Sequence, residues 1–249
     1  FEVTATNTQG SYTQLYSRVL QQLEVVRNQS ANEPGTYLAA TALRAYTFQM
    51  LVDAYGETPY SEALTDATQP KYDDGADVYA GIIAELEEAN KAASESSVCA
   101  NITFGKTTAA PGTAAAWKKF ANSLLLKLYM RESKVVDNKA KIQALIDANN
   151  FITEDVVYDK CWGNAQGSYS PLFQEQKTIT ADLVLNYNVT ATVKAEGVND
   201  TRLYAAWNPG VKGMIGSVSG TNLSAEMPGT NTADLAQPAY NYAMPVFLM

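Results

Sequence analysis

Histidine is absent from this sequence of 249 residues. Its absence excludes Ser-His-Asp triads, histidine general bases and histidine-ligated zinc sites that are built from this chain alone. Basic residues are also scarce, with 18 Lys and Arg against 26 Asp and Glu, for a net charge of −8. Nucleic acids and anionic lipid surfaces are both bound through clustered positive charge. The charge balance therefore argues against these two functions.

Cysteines and long apolar segments are the other scarce features. Cys99 and Cys161 do not have the spacing of a metal site, and we expect buried thiols, with a single disulfide as the alternative. No segment has the roughly 18 to 20 consecutive apolar residues of a membrane-spanning helix. The two longest candidates, at 37–55 and 114–130, are interrupted by charged residues. Both are predicted to be packed helices of a globular domain.

Apolar residues recur every three or four positions over most of the first 150 residues, which is the period of amphipathic helices. The pattern predicts helices at about 12–26, 37–55, 74–93, 117–128 and 139–148. The helix at 37–55 is apolar nearly all round, so we expect it to be the most buried. Trp117 lies on an apolar stripe and is predicted to be a core residue. Successive helix pairs of this kind predict a mainly α, tetratricopeptide-like scaffold.

Several charged residues have roles that the pattern predicts. Either Asp73 or Asp74 is expected to cap the helix that follows. Asp53 lies near a helix C-terminus, where the helix dipole disfavours a negative charge, so we expect it to pair with Arg44 or Arg18. The polar positions of the helix predicted at 74–93 are expected to face solvent: Glu85, Glu87, Glu88 and Lys91.

The pattern changes after about residue 150, where periodicity weakens and Gly, Pro, Asn, Thr and Tyr accumulate. We predict a helical scaffold over 1–150 and an irregular, loop-rich region with little β structure over 151–249, packed on that scaffold. A short helix near 180–187 and short strands near 189–193 and 213–218 are expected within this region. Long ordered loops on a rigid scaffold often carry binding sites.

One segment, "ALRAYTFQMLVDAYGETPYSEAL" (42–64), resembles the signature helix and turn of the SusD/RagB-like family, which has a D-x-Y-G-D-x-P-Y pattern. Glu57 stands where the family commonly has Asp. Three later segments resemble the same family in the same order, at 70–89, 114–133 and 198–207. The resemblance thus covers most of the chain.

This resemblance implies a surface-exposed outer-membrane lipoprotein of Bacteroidetes. Such proteins cover a TonB-dependent transporter and capture glycans, or peptides in some branches, for import. The resemblance also implies a tetratricopeptide-like scaffold with loop-rich insertions. Members of the family are longer and begin with a lipidated cysteine. We therefore expect the chain to lack both ends of the full protein, with the lipid anchor outside it.

Glycan capture requires flat aromatic faces for sugar rings and polar side chains for their hydroxyl groups. The irregular region contains both, and the predicted ligand-binding residues are Trp162, Asn164, Tyr169, Arg202, Tyr204 and Trp207. Small neighbours, Gly163, Gly167 and Ser168, favour access to Trp162 and Tyr169. The alternative is that these aromatic residues anchor loops to the scaffold.

Catalysis is not expected from this chain. A glycoside hydrolase requires two carboxylates on opposite sides of one bond, whereas the adjacent pairs here include Asp73–Asp74 and Glu87–Glu88. The sequence predicts no cofactor and no metal site. We predict a surface glycan-binding subunit that delivers oligosaccharide to a partner TonB-dependent transporter. The alternative function is a scaffold that binds protein or peptide cargo, with no carbohydrate site in this chain.

Overall fold

The computed structural model describes residues 5–65, 67–99, 113–153, 156–158, 165, 167–169 and 246–247. Within these residues the chain forms six α-helices, one π-helical segment and one pair of short strands. The chain divides into two compact units, with the boundary between Val156 and Val157. The first unit lies before this boundary and the second unit after it. The division into a scaffold at 1–150 and a loop-rich region at 151–249 stays a prediction, because most of the second region lies outside the described residues.

Most of the described part of the first unit is helical. The helices are α1 (Ala5–Gln14), a π-helical segment (Leu15–Leu20), α2 (Gln21–Gln29), α3 (Pro34–Tyr55), α4 (Gly75–Ala92), α5 (Ala115–Glu132) and α6 (Lys139–Ala148). All five predicted helices form. The first begins earlier than predicted. Residues 5–11 are polar and have no apolar stripe, so the sequence pattern did not predict a helix there. None of the helices in the described ranges has both the length and the apolar character needed to cross a membrane.

Helix α3 is the centre of the core, as its sequence predicted. More than half of its 22 residues are buried, and it packs against α2, α4 and α5. Trp117 on α5 is buried and lies edge-to-face against Phe120, with ring centroids 5.7 Å apart. Each helix from α2 to α6 packs against the next one in the chain. The mainly α, tetratricopeptide-like fold class is therefore confirmed.

The described strands are short. Val157–Tyr158 (β1) pairs antiparallel with Val246–Phe247 (β2), and Val157 lies opposite Phe247. The helix predicted near 180–187 and the strands predicted near 189–193 and 213–218 lie outside the described residues.

Cys99 is buried in the loop that follows α4. Burial disfavours the charged thiolate, and it raises the pKa of this thiol to about 11. Cys161 lies outside the described residues, so the choice between buried thiols and a disulfide stays a prediction.

Gly35 in the first turn of α3 is in close contact with the loop at 94–99. A Cβ atom at this position would lie 2.3 Å from the carbonyl oxygen of Val98. Gly35→Ala is expected to lower the free energy of unfolding by about 1–3 kcal/mol, because the loop backbone must shift. Urea denaturation measures this loss.

Gly10 in α1 provides the matched control, since no atom lies within 4 Å of a Cβ built there. Gly10→Ala is expected to be neutral or stabilising, because alanine is the better helix former. Equal stability of the Gly35→Ala variant and the unmodified protein would contradict the close contact.

Candidate functional site

Tyr169 is the predicted ligand-binding residue that falls within the described part of the chain, where it is partly exposed. The other five lie outside the described residues: Trp162, Asn164, Arg202, Tyr204 and Trp207. The role of all six in ligand binding stays a prediction.

A tight turn leads into Tyr169. The Ser168 N–H donates to the Ala165 carbonyl oxygen at 2.9 Å, and the Ser168 hydroxyl donates to the same oxygen at 2.8 Å. The Ala165 N–H in turn donates to Ser168 Oγ at 3.2 Å. Gly167 has a φ of +88°, which residues with a side chain rarely adopt. The turn therefore fixes the backbone that carries Tyr169.

The family-like motif at 53–64 forms the end of α3 and the turn after it. Gly56 ends α3 with a φ of +79°, as its position in the motif predicted. Thr58 then pairs with Asp73 through two backbone hydrogen bonds, of 3.2 and 3.1 Å. Tyr16, in the π-helical segment, donates to the Pro59 carbonyl oxygen at 2.6 Å and lies 2.6 Å from Thr58 Oγ1. The turn is thus held by Asp73, which precedes α4, and by Tyr16 of the π-helical segment.

The carboxylate of Asp73 organises this turn from within. It is 4% exposed and accepts hydrogen bonds from the N–H groups of Tyr60, at 3.0 Å, and Ser61, at 2.8 Å. The Ser61 hydroxyl lies 2.9 Å and the Lys71 ammonium 3.0 Å from Oδ1. Burial alone would raise the pKa of Asp73, but the donors from Ser61, Lys71 and Tyr60 outweigh it and hold this pKa well below its usual range.

The two adjacent aspartates have different roles. Asp74 caps α4, with its Oδ1 2.9 Å from the N–H of Ala76. This answers the question that the sequence left open between Asp73 and Asp74.

Glu85 on α4 does not simply face solvent, so that prediction was wrong for this residue. Its carboxylate accepts a hydrogen bond from the Tyr60 hydroxyl at 2.6 Å and forms ion pairs with Arg44 and, at 3.3 Å, with Arg27. The arginine side chains are only 8% and 11% exposed. A buried guanidinium requires a carboxylate partner, and Glu85 supplies it. The carboxylate also contributes, after burial, to the raised pKa of Tyr60.

Glu87 is partly exposed, as predicted, but it is also bonded within the protein. It accepts hydrogen bonds from Tyr129 on α5 and, at 2.7 Å, from Lys141 on α6. Both partners lie more than 40 positions away along the chain, so the local sequence pattern does not reveal them.

The predicted partner of Asp53 was also wrong. Asp53 is paired, but with Arg131 of α5 at 2.9 Å, and it accepts a hydrogen bond from Tyr79 of α4 at 2.7 Å. Arg44 pairs with Glu85 and lies 3.6 Å from Glu24 instead. The end of α3 is thereby joined to both following helices.

These polar contacts hold the motif turn against the helices. Asp73 binds the turn while Asp74 caps α4, so the two adjacent carboxylates do not act on one point. Among the described residues, no group of three or more His, Cys, Asp or Glu side chains is placed to hold a metal ion.

Comparison with known proteins gives one family. The sequence matches the family model of SusD-like proteins over residues 1–249, and that family is described as "starch-binding associating with outer membrane". No curated protein matches the sequence.

Solved structures with the same fold include a chitin-binding protein, with a TM-score of 0.78, 18% identity and coverage of 99% of this chain and 56% of the other. A SusD/RagB family protein from Bacteroides thetaiotaomicron has a TM-score of 0.72 and 21% identity, covering 98% and 53%. A SusD-like protein from a Bacteroidetes organism has a TM-score of 0.74 and 18% identity, covering 100% and 61%. The chain spans little more than half the length of these structures, and at such identities the likeness establishes the fold.

Proposed function

We propose, from the premise that this chain belongs to the SusD-like family, that it is part of a surface protein that binds glycans and delivers them for import. The observation that carries the proposal is the match to that family over residues 1–249, because the family is described as starch-binding and as associating with the outer membrane. Members of this family are binding proteins, and we propose that this chain likewise holds its cargo without cleaving it.

The proposed binding mode is stacking of sugar rings on exposed aromatic faces. The fixed turn before Tyr169 supports this mode, because a ring on a rigid backbone loses little conformational freedom on binding. We propose that the rings of Trp162, Tyr169, Tyr204 and Trp207 contact the glycan, while Asn164 and Arg202 bind its hydroxyl groups.

The proposed location is the outer surface of the outer membrane in a Gram-negative bacterium, with a lipid anchor outside this chain. The proposed partner is a SusC-like, TonB-dependent transporter that receives the glycan. The family description, which names association with the outer membrane, supports both proposals. Purification of the native complex from membranes, followed by mass spectrometry of its subunits, identifies such a partner.

Calorimetric titration with maltohexaose and chitohexaose tests glycan binding. We expect one of these oligosaccharides to bind, and we expect the triple variant Trp162→Ala, Tyr169→Ala, Trp207→Ala to bind it about tenfold more weakly or worse. Each lost ring contact returns apolar surface to water at about 25 cal/mol per Å², so about 60 Å² over the three rings corresponds to about 1.4 kcal/mol, or tenfold in affinity. Circular dichroism verifies that the variant keeps its helices.

Tyr72 provides the matched control. It is 62% exposed and lies in the turn before α4, so Tyr72→Ala removes an exposed ring of the scaffold and is expected to leave the affinity unchanged. Full affinity in the triple variant would refute the proposed aromatic surface. Binding of peptides, with no binding of either oligosaccharide, would favour the alternative of a peptide-binding scaffold.

A further inference from the structure

A cavity of about 300 Å³ lies in the first unit, between α4, the first turn of α3 and the loop before α3. Its lining consists of Ala31, Pro34, Tyr37, Glu85, Glu88, Ala89 and Ala92. Four of these side chains are small and apolar, one is a phenol ring and two are carboxylates. Ligand-binding pockets span roughly 300–1,000 Å³ and combine an apolar lining with a few polar groups. The size of this one suits a single small ring.

Arg27 fixes both the phenol ring and one of the carboxylates. Its guanidinium donates to the Tyr37 hydroxyl at 2.9 Å, lies 5.2 Å from the centroid of that ring, and pairs with Glu85 at 3.3 Å. Arg44 and Tyr60 hold the same carboxylate from α3 and from the motif turn. The ring and the carboxylate therefore keep their positions before any ligand arrives, which reduces the entropy lost on binding.

Glu88 is the carboxylate of the cavity that is available to a ligand. It is exposed, and among the described residues it makes no hydrogen bond or ion pair. It lies one helical turn after Glu85 on α4, so the two carboxylates face the same cavity.

We propose that this cavity binds one pyranose ring of a neutral oligosaccharide. The apolar C–H face of a sugar fits the lining of Tyr37 and the alanine methyl groups, and its hydroxyl groups donate to Glu88 and Glu85. The inference rests on the proposed glycan-binding function and extends it to a second subsite.

A cationic side chain of a peptide is the competing occupant, and the lining favours it less. Arg27 and Arg44 already neutralise Glu85, so Glu88 alone would pair with a cation. An ion pair at an exposed carboxylate contributes little to binding in water. A sugar ring, in contrast, uses the apolar lining and both carboxylates, since a paired carboxylate still accepts hydrogen bonds from hydroxyl groups.

Three of the lining residues are alanines, so alanine-methyl NMR of the whole chain observes the cavity directly. On titration with maltohexaose or chitohexaose, we expect the methyl signals of Ala31, Ala89 and Ala92 to shift together and saturate. Ala80 and Ala84 provide the control on the same helix, because they line a different cavity of about 210 Å³. Their signals are expected to stay in place.

Two pairs of variants test the lining. Ala92→Phe fills the cavity from an exposed position and is expected to abolish the saturable shifts, whereas Ala84→Phe leaves them intact. Glu88→Ala is expected to weaken binding at this subsite about threefold, because a hydrogen bond from a sugar hydroxyl to an exposed carboxylate is lost. Glu88→Gln keeps an acceptor oxygen and is expected to lose less.

The outcomes separate this inference from the proposed function. If calorimetry detects oligosaccharide binding but the three methyl signals stay in place, the cavity proposal is overturned and the proposed function stands. If neither oligosaccharide binds anywhere on the protein, both fail. If the three signals shift with tetralysine and not with sugar, and salt abolishes that effect, the cavity binds a cation and the proposal is wrong.

Discussion

Replacing Asp73 with alanine is expected to lower the free energy of unfolding by about 3–5 kcal/mol. The backbone N–H groups of Tyr60 and Ser61 lose the carboxylate that accepts them, and each buried donor left without an acceptor costs about 1–3 kcal/mol. The Ser61 hydroxyl and the Lys71 ammonium lose the same partner. Urea denaturation followed by circular dichroism measures the loss.

Asp74→Ala is the control for this prediction, since the two residues are adjacent and chemically identical. Asp74 caps α4 with one hydrogen bond to Ala76, so its removal is expected to cost about 1 kcal/mol. Equal losses for the two variants would show that Asp73 does not organise the turn.

The Asp73 carboxylate makes the free energy of unfolding depend on pH. Because the folded pKa of Asp73 lies below the value of about 3.9 in an unfolded chain, its contribution is fully present above that value and is lost as the pH falls towards the folded pKa. The unmodified protein is therefore expected to lose more stability between about pH 5 and pH 3 than the Asp73→Asn variant does. Parallel acid titrations of the two proteins in urea would show the difference, and coincident curves would contradict it.

Replacing Glu85 with alanine is expected to lower the free energy of unfolding by about 2–4 kcal/mol. The change leaves the buried guanidinium of Arg44 without its closest partner and removes the acceptor of the Tyr60 hydroxyl. Breaking a fully buried ion pair costs about 3–5 kcal/mol, and the 30% exposure of Glu85 places the expected loss below that range. Chemical denaturation measures it.

Glu88→Ala is the matched control, three residues later on the same helix and without a described partner. It is expected to change the free energy of unfolding by no more than about 0.5 kcal/mol. In the double variant Glu85→Ala, Arg44→Met, part of the stability is expected to return, because no unpaired charge remains buried. A Glu85→Ala variant as stable as the Glu88→Ala variant would refute the network.

These contacts explain why the motif has its particular residues. The ring of Tyr60 packs edge-to-face on Phe48, with centroids 5.0 Å apart, while its hydroxyl donates to Glu85. A Cβ at Gly81 on α4 would lie 2.4 Å from the Tyr60 ring, so glycine is needed there for the ring to reach the helix. The described contacts of this tyrosine thus join the turn to α3 and α4.

The sequence predicted the candidate site only in part. It predicted a ring-bearing region after residue 150 from aromatic residues beside small neighbours, and the ligand-binding role of these residues stays a prediction. Within that region, the turn before Tyr169 contains a glycine with a positive φ. The cavity of Tyr37 and Glu88 has no signal in the sequence. Its residues come from 31–37 and 85–92, and only the packing of α3 on α4 brings the two segments together.

The sequence by itself determined the helical character of the first unit, the central burial of α3 and the family. The spacing of apolar residues and the residues of the family motif are local properties of the chain. The tertiary structure alone decided the partners of its buried charges. Asp53 pairs with Arg131, although the sequence predicted Arg44 or Arg18 as its partner. Glu85 pairs with Arg44, although it was predicted to face solvent. A charged residue on a helix shows its charge in the sequence, but whether it is desolvated depends on which neighbouring helix covers it. That covering is set by the packing of several helices at once.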